Sequence, residues 1–165
     1  MGLLDSGVNY GLLAPITEFI TDVEPKKKRK YFADTLDLDR LIEAETDTKG
    51  GRTSSQGAYG FAQFMPSTWR NLAKDSEVTG VPIPDEIKGM GFREVMDNVG
   101  SAKIAARTYL RMLERYLERR NLPVNARNIL GSYNVGPTMY ANRLRKGEVP
   151  FHRWDRWISV GKRKK

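Results

Sequence analysis

The sequence predicts one mainly α-helical domain with an N-terminal arm and short basic tracts, and three observations carry that expectation. Apolar residues recur at helical spacing in two segments, Leu38 to Ile42 and Tyr109 to Leu117. A Gly-Pro step at Gly136-Pro137 reads as a break between two further helices, because proline is well tolerated at a first helical position. Finally, 165 residues with 39% apolar content suffice for one ordinary core and are few for two.

Taken in chain order, residues 1–33 read as an arm. Leu3, Leu4, Val8, Tyr10, Leu12, Leu13, Ile16, Phe19 and Ile20 are scattered between glycines and a proline, as in a segment that docks on something else. A basic tract, Lys26 to Lys30, closes the arm. The body is expected over residues 34–160 and a basic tail over 161–165. A helix starts near Asp37, with Asp34, Thr35 or Asp37 available as its N-cap. The Pro- and Gly-rich stretch Gly80 to Gly91 is expected to be a long surface loop.

A long helix is predicted over Ala102 to Arg120. Tyr109, Met112, Leu113, Tyr116 and Leu117 form its core face, and Arg107, Arg111, Glu114, Arg115, Glu118 and Arg119 a solvated charged face. Trp154 and Trp157 share a helical face and would pack a terminal helix on the body, with His152 at the surface.

Composition narrows the chemistry. No cysteine is present and His152 is the single histidine, so thiolate or histidine metal sites and a Ser-His triad are not expected, nor is any metal or other cofactor. The net charge is +8, yet Lys26 to Lys30 contribute five charges and Lys162 to Lys165 four, which leaves the rest of the chain at −1. Such tracts neutralise polyanions without reading sequence, so no specific nucleic-acid partner is predicted. Asp5 and Glu18 interrupt the early apolar residues, so no signal peptide is expected, and no apolar run is long enough to span a membrane.

The stretch Leu41-Ile42-Glu43-Ala44-Glu45-Thr46-Asp47 places three carboxylates at alternate positions. At about 100° per residue, Glu45 falls roughly 20° from Leu38, whereas Glu43 falls about 140° and Asp47 about 180° away. Glu45 therefore continues the apolar face of Leu38, Leu41 and Ile42, while Glu43 and Asp47 face water. Desolvation raises the pKa of a carboxyl so placed, which suits a general acid working near neutral pH; the competing reading is a buried Glu neutralised by an arginine.

The following block, Ser54 to Trp69 ("SSQGAYGFAQFMPSTW"), resembles the signature of the soluble lytic transglycosylases of the lysozyme superfamily. In that family a catalytic Glu precedes a Ser, then Gly-Ala-x-Gly-Leu-Met-Gln and Met-Pro-x-Thr. With Glu45 as that Glu, Ser54, Gly57, Gly60, Gln63 and Met65 follow at nine, twelve, fifteen, eighteen and twenty residues. A start at Glu43 would put each interval out by two. A second block, Ile129 to Leu144, resembles the family's Ala-Tyr-Asn-x-Gly-Pro segment, with Ser132, Tyr133, Asn134, Gly136 and Pro137 in the matching positions. Thr46 departs from the usual Ser, and Phe61-Ala62 from Leu-Met.

The resemblance implies a lysozyme-like fold, in which a short hairpin can follow the catalytic helix. It implies cleavage of peptidoglycan glycan strands, with Glu45 catalytic and Ser54, Gln63, Met65, Tyr133 and Asn134 binding substrate. Gly57, Gly60, Gly136 and Pro137 would shape the backbone. Two other readings stay open: a hydrolytic muramidase on the same fold, with Asp47 as the nearest second carboxylate, and a non-catalytic assembly module. The arm further suggests a phage-borne protein held in a virion or tail by other particle proteins and acting on the host wall.

Overall fold

The computed structural model describes residues 28–46, 53–54 and 56–148. The arm before residue 28, Asp47, the Trp154/Trp157 segment with His152, and the tail at 161–165 lie outside the described residues. Within them the chain forms a 3-10 turn, Phe32–Thr35, and six helices: α1 Leu38–Thr46, α2 Pro66–Thr79, α3 Phe92–Met96, α4 Val99–Arg119, α5 Ala126–Val135 and α6 Pro137–Arg145. The mainly α expectation agrees with this order. No helix among the described residues is long and apolar enough to cross a membrane.

Helix α4 is the axis, and the turn and every other helix pack on it. The reason is written in its sequence. Ala102, Ala105 and Ala106 let neighbours approach closely in the first turns, and Tyr109, Leu110, Met112, Leu113 and Leu117 bury larger side chains beyond them. Apolar residues thus cover more than one face, as a central helix requires. The Asn98 side chain caps it by accepting the Ser101 N–H at 3.0 Å.

The expected two-faced pattern of α4 is corrected in two places. Glu114, placed on the solvated side by periodicity, is only 3% exposed. Tyr116, placed in the core, is half-buried and its hydroxyl donates to Asp75 of α2 at 2.6 Å. In both cases a neighbouring segment supplies a polar partner that periodicity alone does not reveal.

Helix α1 starts where the sequence suggested. Asp37 Oδ1 accepts the N–H groups of Asp39 and Arg40 at 3.0 and 3.2 Å, the pattern of an N-cap. Leu41 and Ile42 are buried, and Glu43 is exposed. Helix α2 begins with Pro66 and ends at Gly80, whose φ of 73° is the left-handed conformation of a C-cap. The loop after it is less superficial than its composition implied: Val81 and Ile87 are each 1% exposed and join the core.

Helices α5 and α6 meet closely. A Cβ at Gly131 would lie 2.1 Å from the Tyr140 ring, so only glycine permits this contact. The Tyr140 hydroxyl donates to Asn128 Oδ1 at 2.8 Å. Pro137 opens α6 directly after Gly136, as the Gly-Pro step predicted.

Candidate active site

The segment between α1 and α2 folds back on itself twice. Isolated antiparallel bridges join Thr53 to Tyr59 and Tyr59 to Phe64. The expected short hairpin is thus reduced to single bridges, with no strand among the described residues. Ser54 organises the first reversal: its N–H donates to the Ala58 carbonyl at 2.7 Å, and its Oγ accepts the Ala58 N–H at 2.9 Å. Buried Ser54 is held by these bonds with its oxygen at a defined place.

Gly60 has φ of 76°, and a Cβ there would meet the Met96 carbonyl oxygen at 2.5 Å. The close approach that demands glycine is therefore to the end of α3. Phe61 N–H seals the contact by donating to the same Met96 oxygen at 3.0 Å. Gln63 takes a left-handed φ of 49°, unusual for a residue with a Cβ, and its Nε2 donates to the Gly60 carbonyl at 2.8 Å.

These reversals face a cavity of about 120 Å³ lined by Glu45, Ser54, Gln56, Ala58, Gln63, Phe64, Met65, Thr68, Tyr109, Tyr133 and Asn134. All six sequence-predicted chemical residues, Glu45, Ser54, Gln63, Met65, Tyr133 and Asn134, reach it from three parts of the chain: α1, the segment between α1 and α2, and α5. Gly57, Gly60, Gly136 and Pro137 shape the backbone around it and do not line it. Glu45 is half-buried at the C-terminal end of α1, on the cavity side, while Asn134 and Met65 are exposed at its mouth.

One wall is aromatic. Phe64, Tyr109 and Tyr133 form a triangle with ring centroids 5.3, 5.9 and 5.7 Å apart. The Tyr133 hydroxyl donates to the Ala62 carbonyl at 2.7 Å, so its proton is directed to the backbone of the reversal and not to Glu45. Burial, then the nearby Glu45 charge, then Tyr109 push the Tyr133 pKa well above its ordinary value. Tyr109 is also raised, first by burial, and its hydroxyl bonds with Thr68. Both phenols therefore stay neutral beside the carboxyl across the physiological range.

Sequence reasoning missed Gln56, Thr68 and Tyr109 as lining residues. Thr68 had a signal, since it is the Thr of the Met-Pro-x-Thr step, in the first turn of α2. Tyr109 had none, because its helical phase is that of a core residue and only the packing of α4 brings it to the cavity.

The family model described as the transglycosylase SLT domain matches residues 24–149. The chain belongs to that family. The transglycosylase thereby takes its activity from it: the enzyme is a lytic transglycosylase acting on peptidoglycan. The match spans both motif blocks and every helix described above. The transglycosylase finds no match among curated proteins or solved structures.

Proposed function

We propose that the enzyme cleaves the β-1,4 bond between N-acetylmuramic acid and N-acetylglucosamine and leaves a 1,6-anhydro-muramic end, with Glu45 as acid and then base. The observation that supports this reading is the shared cavity: Glu45, the carboxylate of the lining residues, stands with Ser54, Gln63, Tyr133 and Asn134 around one volume. Glu45 protonates the oxygen leaving muramic C1. The substrate's own acetamido oxygen stabilises the positive charge that develops at C1, replacing the second carboxylate that most glycosidases use. Glu45, now ionised, accepts the proton of the muramic 6-hydroxyl as that oxygen bonds to C1. The ring closes, no water is consumed, and Glu45 ends protonated for the next turnover.

Ser54, Gln63 and Asn134 position the sugar through hydroxyl and amide groups, and Met65 gives it an apolar contact at the mouth. Tyr133 contributes a neutral phenol beside Glu45, whose oxygen has a lone pair for a donor on the substrate. Mass spectrometry of the muropeptides released from purified walls tests the reaction. Products lighter by one water than reducing-end muropeptides are expected from wild type and none from Glu45→Gln; reducing-end products would support the muramidase reading.

We further propose that the enzyme is carried in a phage particle and acts locally on the host wall. The apolar, glycine-interrupted sequence before residue 24 and the basic tracts at Lys26 to Lys30 and Lys162 to Lys165 support a docked and wall-directed protein. Immunodetection in purified particles tests it, and absence from them would refute it.

A further inference from the structure

One line along α4 carries charged side chains for which the proposed chemistry has no use. Lys103, Arg107, Arg111, Glu114 and Glu118 follow at spacings of four, four, three and four residues, which keeps them in register along one side of a helix. Each meets the segment that leads into α1 or the first turn of α1 itself. Glu118 pairs with Arg29. Glu114 Oε2 accepts the Ala33 N–H at 2.8 Å, and Arg111 pairs with Asp34 at 2.7 Å. Arg107 donates to the Ala33 carbonyl and, at 2.8 Å, to the Leu36 carbonyl. Lys103 pairs with Asp39. From Glu118 with Arg29 to Lys103 with Asp39 the partners climb overall as the α4 numbers fall, so residues 29–39 run antiparallel to the helix.

Stability alone does not account for this arrangement. Glu114 is 3% exposed, and a buried carboxylate is costly enough that well-packed apolar side chains often serve stability as well. Apolar contact is non-directional and would tolerate sliding of residues 32–36 along α4. Hydrogen bonds to two named carbonyls and one named N–H do not. What the stripe supplies is a fixed register.

That register sets α1. The Leu36 carbonyl held by Arg107 immediately precedes Asp37, the N-cap of α1, and Lys103 holds Asp39 in the first turn. From Leu38 to Glu45 is seven residues, about 10 Å along the axis. A tilt of about 5° at the N-terminal end moves Glu45 by ~1 Å, a misplacement that can cost on the order of 100-fold in rate.

We propose that Arg107 and Glu114 are positioning residues for glycan cleavage: through residues 33–37 they set the axis of α1 and so the place of the Glu45 carboxyl in the cavity. The proposal rests on the reading of Glu45 as the catalytic acid. Neither Arg107 nor Glu114 lines the cavity, so both act through the backbone they grip.

Arg107→Lys tests it, because an ammonium keeps the charge but lacks the planar fork that spans two carbonyls. On a soluble glycan strand, kcat is expected to fall about 10- to 100-fold with KM changed less than about 2-fold. Amide hydrogen exchange across residues 38–45 should quicken while that of α5 does not. Val81→Ala is the control for simple destabilisation: it lowers Tm and leaves kcat within about 2-fold when assayed well below its melting point. Should Arg107→Lys fail to fold, Glu114→Gln keeps the side-chain volume and an acceptor while removing the charge, and its kcat should fall about 3- to 10-fold.

A folded Arg107→Lys enzyme with kcat within about 2-fold of wild type, beside an inactive Glu45→Gln, overturns the positioning role. So does a kcat loss no larger than that of a Val81→Ala enzyme of equal Tm. An active Glu45→Gln enzyme instead refutes the assignment of Glu45, and the proposal falls with it.

Discussion

Replacing Tyr133 by Phe removes one oxygen and leaves the ring on Phe64 and Tyr109, so the loss can be assigned. The hydroxyl donates at 2.7 Å to the carbonyl of Ala62, a residue with no exposed surface. Without it that carbonyl is buried and unsatisfied, which costs about 1–3 kcal/mol. For a domain of this size each kcal/mol lowers Tm by about 2–4 °C, so a fall of roughly 2–12 °C is expected in thermal unfolding followed by circular dichroism. The denaturant m-value should not change, because the surface buried is the same. Turbidity clearing of purified walls, run well below Tm, separates the second role. Unfolding of this size leaves most molecules native, so a loss of activity of about 10-fold or more reports a contact of the phenol with substrate. An unchanged Tm would refute the hydrogen-bond argument, and full activity would refute the proposed role of the phenol in the cavity.

Three other outcomes are expected. Glu45→Gln should lower wall clearing by at least about 100-fold and Glu43→Gln by less than about 2-fold, since Glu43 is exposed and away from the cavity lining; equal effects would refute the helical-phase argument. Gly60→Ala forces a Cβ to 2.5 Å from the Met96 carbonyl oxygen at a φ of 76°, and should cost about 2–5 kcal/mol in denaturant unfolding, whereas a loss below about 1 kcal/mol would show that α3 moves aside freely. In alkali, Tyr116 is pushed up to about 12 by burial and then by its bond to Asp75. A folded value above the unfolded one makes its stabilising contribution complete below about pH 10 and lost as pH climbs through about 12. The phenolate absorbance that wild type gains over Tyr116→Phe should therefore rise together with loss of helical circular dichroism in that window; a difference signal that titrates near pH 10 with the helices intact would refute this.

Much of the site is legible in the sequence because its local logic is short-range. The phase of Leu38, Leu41 and Ile42 separates Glu45 from Glu43 within three turns of one helix. Glycine positions announce the reversals, and Gly136-Pro137 announces the break between α5 and α6. What was illegible involved partners distant in sequence. Glu114 and Arg111 repeat at spacings that suit a solvated face, and nothing local to α4 says that residues 29–39 lie across them. Tyr109 has the phase of a core side chain, and it is one, yet the wall of the core on which it sits is also the wall of the cavity.

By itself the sequence determined which carboxyl shares a face with the core of α1, where the chain must reverse, and which chemistry those residue types permit. Helical phase and backbone conformational preference act over a few residues, so a linear string contains them. Only the tertiary structure decided that the Tyr133 proton goes to Ala62, that the close neighbour of Gly60 is Met96, and that a charged stripe on α4 grips the segment leading into α1. Each of those depends on groups roughly 36 to 89 residues apart meeting within a few ångströms, and such meetings follow from packing the whole core at once.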